Sequence, residues 1–403
     1  MALATTVVLL LAVVAGCGSG DVPGDAGRID AELVADLAPG DARAVGEAVN
    51  TFGFELFNEV AGGTRENTVT SPLSMSVLLA MLLAGAGGET SAEIGKVLHL
   101  QNPRDVRVSA LLRELADTDD VTLAVANSLW ADEGRPFEKD YLDFLERAFG
   151  ATLDERDLGS PDVVKEIDKW ASDNTEGRID RIAEDLGLPN ADAVLVLLNA
   201  VYFLGDWKTQ FDPANTRPAP FTGVGDVPTM HLSGEKFGYA ERDGFRMLRL
   251  PYGEDGRYGM EIMLPDENVP PKEMTAASWR AAVDSLTEET IDELTLPKFE
   301  LRWKAELVEP LRRLGITAAF DPAKADFHPM SPQAPWLSAV VQKTYIRVDE
   351  KGTEAAAVSG GTMATSALVG QREFRVDRPF TFTISDTRTG TILFLGSVTD
   401  PRS

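Results

Sequence analysis

The middle of the stretch from Val348 to Phe380 carries almost no large side chains and no proline. From Thr353, alternate residues are Thr353, Ala355, Ala357, Ser359, Gly361 and Met363, and the set between them is Glu354, Ala356, Val358, Gly360 and Thr362. In an extended chain these two sets point to opposite faces. The only charge, Glu354, lies on the second set, so the first can slide against a packed core without desolvating an ion. Composition by itself describes a flexible linker. Position argues otherwise. The stretch lies inside the domain between two β-branched, aromatic-rich segments, 344–348 and 374–385, and it is long for a connection between strands. Long loops in compact domains are usually functional. It reads as a strand held in reserve.

The rest of the chain excludes several classes of function. Its 403 residues are 44% hydrophobic, enough for one large domain or two, and the formal charge of −26 argues against a nucleic-acid partner. A single cysteine, Cys17, excludes an intrachain disulfide and a cysteine-based metal cluster. His99, His231 and His328 are far apart and lack metal-ligand spacing, and no Gly-x-Ser-x-Gly elbow occurs. Gly85-Ala-Gly-Gly-Glu-Thr follows a helical apolar run rather than a strand, so it reads as a helix stop, not a phosphate loop. No nucleophile and base are assembled, and no metal or cofactor is expected.

Taken in order, residues 2–15 form an apolar run of signal-peptide length that ends Val14-Ala15-Gly16-Cys17. The run resembles a bacterial lipoprotein signal with Cys17 as the lipidated residue, although 1–6 lack the usual positive charges. The expected organisation is a signal peptide over 1–16, a flexible tether over 17–46, and one folded domain over 47–403. Val49, Phe52, Phe54, Leu56, Phe57 and Val60 mark a core helix. Ser71 before Pro72 is a helix start ahead of the apolar run 75–83. Strands are expected at 123–130, 151–154, 193–204, 294–303 and 340–348, with a series over 230–263. Helices are expected at 137–149, 163–172 and 305–314. The strand over 193–204 is apolar enough to be covered on both faces, and its one polar residue, Asn199, then needs hydrogen-bond partners.

Glu350-Lys-Gly-Thr-Glu-Ala-Ala-Ala resembles the hinge of an inhibitory serpin, and Phe374-Arg-Val-Asp-Arg-Pro-Phe resembles the strand after that family's reactive loop. Further matches run in order from about Val49 to Pro401. The resemblance implies an α+β serpin fold: several helices around a large mixed β-sheet and two smaller sheets, with an exposed reactive loop. It implies a hinge of Glu350, Gly352, Thr353, Glu354, Ala355, Ala356 and Ala357, with Gly352 allowing the bend. It places Ser71, Ser74, Asn199, Gln342 and Trp207 where the large sheet opens. Gln342 stands where the family usually has histidine; it can hydrogen-bond Asn199 but cannot take up a proton. Counting sixteen positions from Glu350 puts the reactive bond at Ser366–Ala367. Counting back from Pro379 gives Leu368–Val369, and a short reading gives Met363.

The implied function is suicide inhibition of serine proteases by loop cleavage and insertion. A small residue at the cut favours elastase-like or subtilisin-like enzymes over trypsin-like ones. The implied protein is a monomer outside the cytoplasm, with no nucleic acid and with membrane contact only through a lipid on Cys17. The competing readings are a serpin-fold binding protein whose loop is only a substrate, and an unrelated surface lipoprotein.

Overall fold

The structure, a computed structural model, describes residues 29–38, 40–62, 66–118, 121–151, 153–267, 273–333, 335–353 and 372–402. α1 (Asp41–Ala61) buries Val45, Val49, Phe52, Phe54, Leu56 and Phe57. α2 (Pro72–Leu83) is buried at every residue, a core helix with no solvent face. Ser71 caps it, its Oγ accepting from Ser74 N at 3.4 Å. Pro72 occupies the first helical position, where a missing N–H costs nothing. The remaining helices are α3 (Gly88–Val97), α4 (Arg107–Ala116), α5 (Lys139–Phe149), α6 (Pro161–Asn174), α7 (Ala276–Val283) and α8 (Val308–Leu314).

Among the described residues, three sheets pack with these helices. The seven-stranded sheet runs β1 (Thr68–Thr70), β17 (Ile392–Val398), β16 (Phe380–Asp386), β9 (Tyr258–Pro265), β8 (Phe245–Tyr252), β7 (Glu235–Arg242), β10 (Thr287–Ile291), antiparallel throughout. The four-stranded sheet runs β15 (Glu373–Arg375), β11 (Glu293–Pro297), β6 (Gly225–Leu232), β5 (Arg217–Phe221). Its outer strand β5 carries Pro218 and Pro220, which cannot donate to a further strand. The six-stranded sheet is mixed, as is the four-stranded one through its parallel β11–β15 pair. Its order is β12 (Phe299–Glu306), β13 (Val341–Val348), β14 (Gly352–Thr353), β4 (Leu195–Asp206), β2 (Val121–Asp132), β3 (Leu153–Arg156). The α+β architecture is the expected one.

Four details differ from the sequence reading. The segment 294–303 is two strands in two sheets, because Pro297 ends β11 and the chain turns at Lys298. Ala305 and Glu306 extend β12, so the helix expected from 305 begins only at Val308. The segment 374–385 likewise divides into β15 and β16, with Pro379 between them. Much of the expected tether is packed structure. Ile29 is 2% exposed, Asp30 N bonds Arg147 O at 2.8 Å, and the Arg147 guanidinium pairs with the Asp30 carboxylate at 2.7 Å. An apolar seat and a charge partner hold that segment to the domain. Cys17 lies outside the described residues.

Candidate functional site

β4 and β13 run parallel and pair directly at only two positions, Lys343 with Ala200 and Thr344 with Val201. Past that point they part, and β14 occupies the gap. It is antiparallel to both neighbours, with Gly352 opposite Asp206, and Thr353 opposite Gly205 on one side and Val348 on the other. The chain reverses through Asp349-Glu350-Lys351, with Asp349 N donating to Gly352 O at 3.0 Å and Lys351 N to Asp349 Oδ1 at 3.0 Å. This turn has no exposed carbonyl to spare. Trp207 N donates to Lys351 O at 2.7 Å, Trp207 Nε1 to Asp349 O at 2.9 Å, and Phe211 N to Glu350 O at 2.8 Å.

Side chains fix the same turn. The Trp207 ring stacks on Tyr252 with centroids 4.4 Å apart and planes 14° from parallel. The buried Tyr252 hydroxyl shares a 2.6 Å hydrogen bond with Thr353 Oγ1. Burial raises the Tyr252 pKa well above its ordinary value, which keeps that hydroxyl neutral. Glu350, 8% exposed, accepts from Lys298 Nζ at 2.7 Å and from Thr216 Oγ1 at 2.7 Å. Burial pushes its carboxyl up, but Lys298 and Thr216 outweigh burial and hold it below the usual range. The hinge is therefore seated by a charged carboxylate. Gly352 is required by space rather than by a bend. Its φ lies outside the left-handed region, yet a Cβ there would stand 2.1 Å from Gly205 O and 2.8 Å from Asp206 Cα.

Lower on the seam, the amide of Gln342 is fully buried and spans one residue's main chain. Its Nε2 donates to Ser71 O at 3.1 Å and its Oε1 accepts from Ser71 N at 3.3 Å. Ser71 Oγ donates to Leu393 O at 2.7 Å. β13 is thereby tied to the start of α2 and to β17. A main-chain unit offers the amide both a donor and an acceptor; the expected bond from Gln342 to Asn199 involves a side chain outside the described ones. The hydroxyls of Ser74 and Thr344 are buried there without a partner among the described residues.

The sequence-derived set thus separates into two places. Ser71, Ser74 and Gln342 lie together. Trp207 lies with Glu350, Gly352 and Thr353 at the far end of β4, eight residues beyond Asn199 and about 25 Å along the strand. Asn199 pairs with Asn127 in the backbone register, but its side chain is outside the described ones. Glu354, Ala355, Ala356, Ala357, Met363, Ser366, Ala367 and Leu368 also lie outside the described residues. The sequence reading missed Tyr252, Lys298, Thr216 and Gly205, which come from four distant segments. None of them carries a local signal that marks it out in the sequence.

The family model described as Serpin (serine protease inhibitor) matches residues 47–401. An uncharacterized serpin-like protein of Thermococcus kodakarensis is 35% identical over 383 residues, covering 91% of this chain and 88% of that protein. Leukocyte elastase inhibitor A of Mus musculus is 33% identical over 374 residues, covering 87% of this chain and 97% of that one. Among solved structures, the thermophilic serpin tengpin in its native state superposes with a TM-score of 0.80 at 29% identity. The match covers 89% of this chain and 94% of that one.

Proposed function

Because the chain belongs to the serpin family, we propose that it is an irreversible inhibitor of serine proteases that traps its target by inserting its cleaved loop between β4 and β13. The observation that carries this reading is β14, a strand stub already lodged antiparallel between two parallel strands that close again beyond it. Continuing its register one residue at a time places position 355 between Phe203 and Ile346. Position 357 then falls between Val201 and Thr344, where the seam is now closed, and 359 falls between positions 199 and 342. Insertion exchanges two direct pairings for a ladder on both sides. It also sets Thr353, Ala355 and Ala357 on the inward face, where none brings a charge.

The chemistry belongs to the protease. Its serine oxygen attacks the carbonyl at the reactive bond, the peptide nitrogen leaves with the downstream fragment, and an ester joins enzyme and inhibitor. From Thr353 to Ser366 the inserted strand is about 40 Å long, so the tethered enzyme is carried the same distance. Drag on its serine distorts the oxyanion hole, where losing one donor typically costs a hundredfold or more, so the ester survives. The reactive bond is Ser366–Ala367. The small residue suits elastase-like or subtilisin-like pockets, in keeping with the name of the mouse relative. The inhibitor acts as a monomer outside the cytoplasm, anchored by a lipid on Cys17.

The test is incubation with elastase-like, subtilisin-like, chymotrypsin-like and trypsin-like enzymes, followed by denaturing electrophoresis and mass spectrometry. A complex that survives boiling in detergent is expected, with a released peptide beginning at Ala367. A peptide beginning at Val369 or Ala364 moves the bond to Leu368 or Met363. Loop cleavage by these enzymes with no complex from any of them overturns inhibition and leaves a serpin-fold substrate.

A further inference from the structure

Three distant segments enclose a cavity of about 350 Å³ on the outer side of β12. Leu301 and Trp303 of β12 form one wall, Glu66 and Asn67 the second, and Thr399 and Asp400 the third. The second and third walls are one piece. Asn67 Nδ2 donates to Asp400 O at 2.6 Å, and its Oδ1 accepts from Thr399 N at 2.7 Å and from Asp400 N at 3.0 Å. Leu301 is 1% exposed and closes the floor. Trp303 is half-buried, packed against the core on one side and bordering the cavity on the other.

Two carboxylates border the same space. Arg402 Nη2 donates to Asp400 Oδ2 at 2.8 Å and holds that carboxyl below the usual range, so it is charged but already compensated. Glu66 is exposed, and no cation is paired with it among the described residues. Arg302, at the mouth, is engaged elsewhere. It alternates to the other face of β12, pairs with Glu300 at 3.0 Å and lies 4.6 Å over the Tyr345 ring. An indole face attracts a cation within about 6 Å, and Glu66 supplies the counter-charge. An anion would meet two carboxylates, and an apolar group would cover the Glu66 charge without pairing it. The volume lies at the small end of ligand pockets, enough for one side chain rather than a cofactor.

We propose that this cavity receives an arginine or lysine side chain presented by a partner protein, its cation held between the Trp303 ring and the Glu66 carboxylate. The site makes no use of the inserting loop, and it is independent of the inhibitory reading.

The test titrates the full chain, isotope-labelled in its six tryptophans, and follows the indole resonances by NMR, with Trp303→Phe identifying the Trp303 signal. Nα-acetyl-arginine amide and Nα-acetyl-lysine amide should move that signal to saturation, and the uncharged isostere Nα-acetyl-citrulline amide should not. Glu66→Gln, at an exposed position, should weaken arginine binding about two- to fivefold with an unchanged melt, and Glu66→Lys should abolish it. Raising salt from about 0.05 M to about 0.5 M should weaken binding to wild type more than to Glu66→Gln. Free L-arginine should bind more weakly than the amide, because its own carboxylate would lie beside Glu66 and Asp400. A Trp303 signal that neither amide moves overturns the site. So does a citrulline amide that acts like arginine, or a Glu66→Lys protein that binds like wild type. Free L-arginine that binds as tightly as the amide overturns docking of a protein chain and assigns the cavity to the amino acid itself.

Discussion

Gly352→Ala is the smallest change that should unseat the hinge. The added Cβ would stand 2.1 Å from the Gly205 carbonyl oxygen, 0.9 Å inside the 3.0 Å approach that real Cβ atoms respect. Both near atoms are backbone of β4, so no side chain can swing away. One outcome is that β14 and β4 spread, an overpacking strain of about 1–3 kcal/mol. The other is that β14 leaves its seat. That strands the buried Tyr252 hydroxyl now bonded to Thr353, at about 1–3 kcal/mol, and forfeits the short ladder at Gly352 and Thr353. Either route costs about 2 kcal/mol, roughly a thirtyfold loss in occupancy of the seated hinge. The assay compares thermal unfolding of intact and loop-cleaved protein, using a subtilisin-like enzyme for the cut. Wild type should melt higher once cleaved, because the freed strand fills the seam. The alanine variant should gain much less, and it should be consumed as a substrate more often than it traps. A cleaved Gly352→Ala protein that gains as much thermal stability as cleaved wild type would refute the close-approach argument.

Two further outcomes follow from the same geometry, and a third from the sequence around Cys17. Gln342→Leu leaves the buried N–H of Ser71 without its partner, at about 1–3 kcal/mol, while the Ser71 carbonyl keeps Met75 N at 3.2 Å, so intact protein should melt a few degrees lower by calorimetry. An unchanged melt would mean that N–H finds another partner. Glu350 has a depressed folded pKa, so its stabilisation is complete above the ordinary carboxylate value and is lost as pH falls through the folded one. Glu350→Gln should therefore melt below wild type at neutral pH, and the gap should narrow as pH falls below the ordinary glutamate value of about 4.3; a gap that does not narrow in acid contradicts the ion-pair account. Cys17→Ser should move the protein from the membrane fraction to the soluble one, and unaltered fractionation refutes the anchor.

What the sequence could show was set by the range of the interactions. The cap at Ser71, the core helix over 72–83 and the strands around Asn199 depend on neighbours in the chain, and each was legible from spacing and residue type. The small residues of one alternate set are a local pattern too, but of that set only Thr353 lies among the described residues. Pro297 and Pro379 were visible too, but a proline marks a break without saying that the next segment joins another sheet. The seat of the hinge was not legible at all. Thr216, Tyr252 and Lys298 converge on residues 350–353 from separate strands and loops, and nothing in their own surroundings distinguishes them from ordinary surface or core positions.

Gly352 shows the same limit in its sharpest form. A glycine beside a hinge invites the conformational explanation, and that explanation was available from sequence. The structural reason is the carbonyl of Gly205, 147 positions away, and it could appear only once β4 and β14 were side by side. Gly205 is itself constrained, since a Cβ on it would lie 3.0 Å from the rings of Phe203 and Tyr252. Two glycines, one on each strand, therefore let the hinge come close enough for Thr353 to reach the Tyr252 hydroxyl. The entrance to the seam depends on the absence of two side chains as much as on the presence of Trp207 and Glu350.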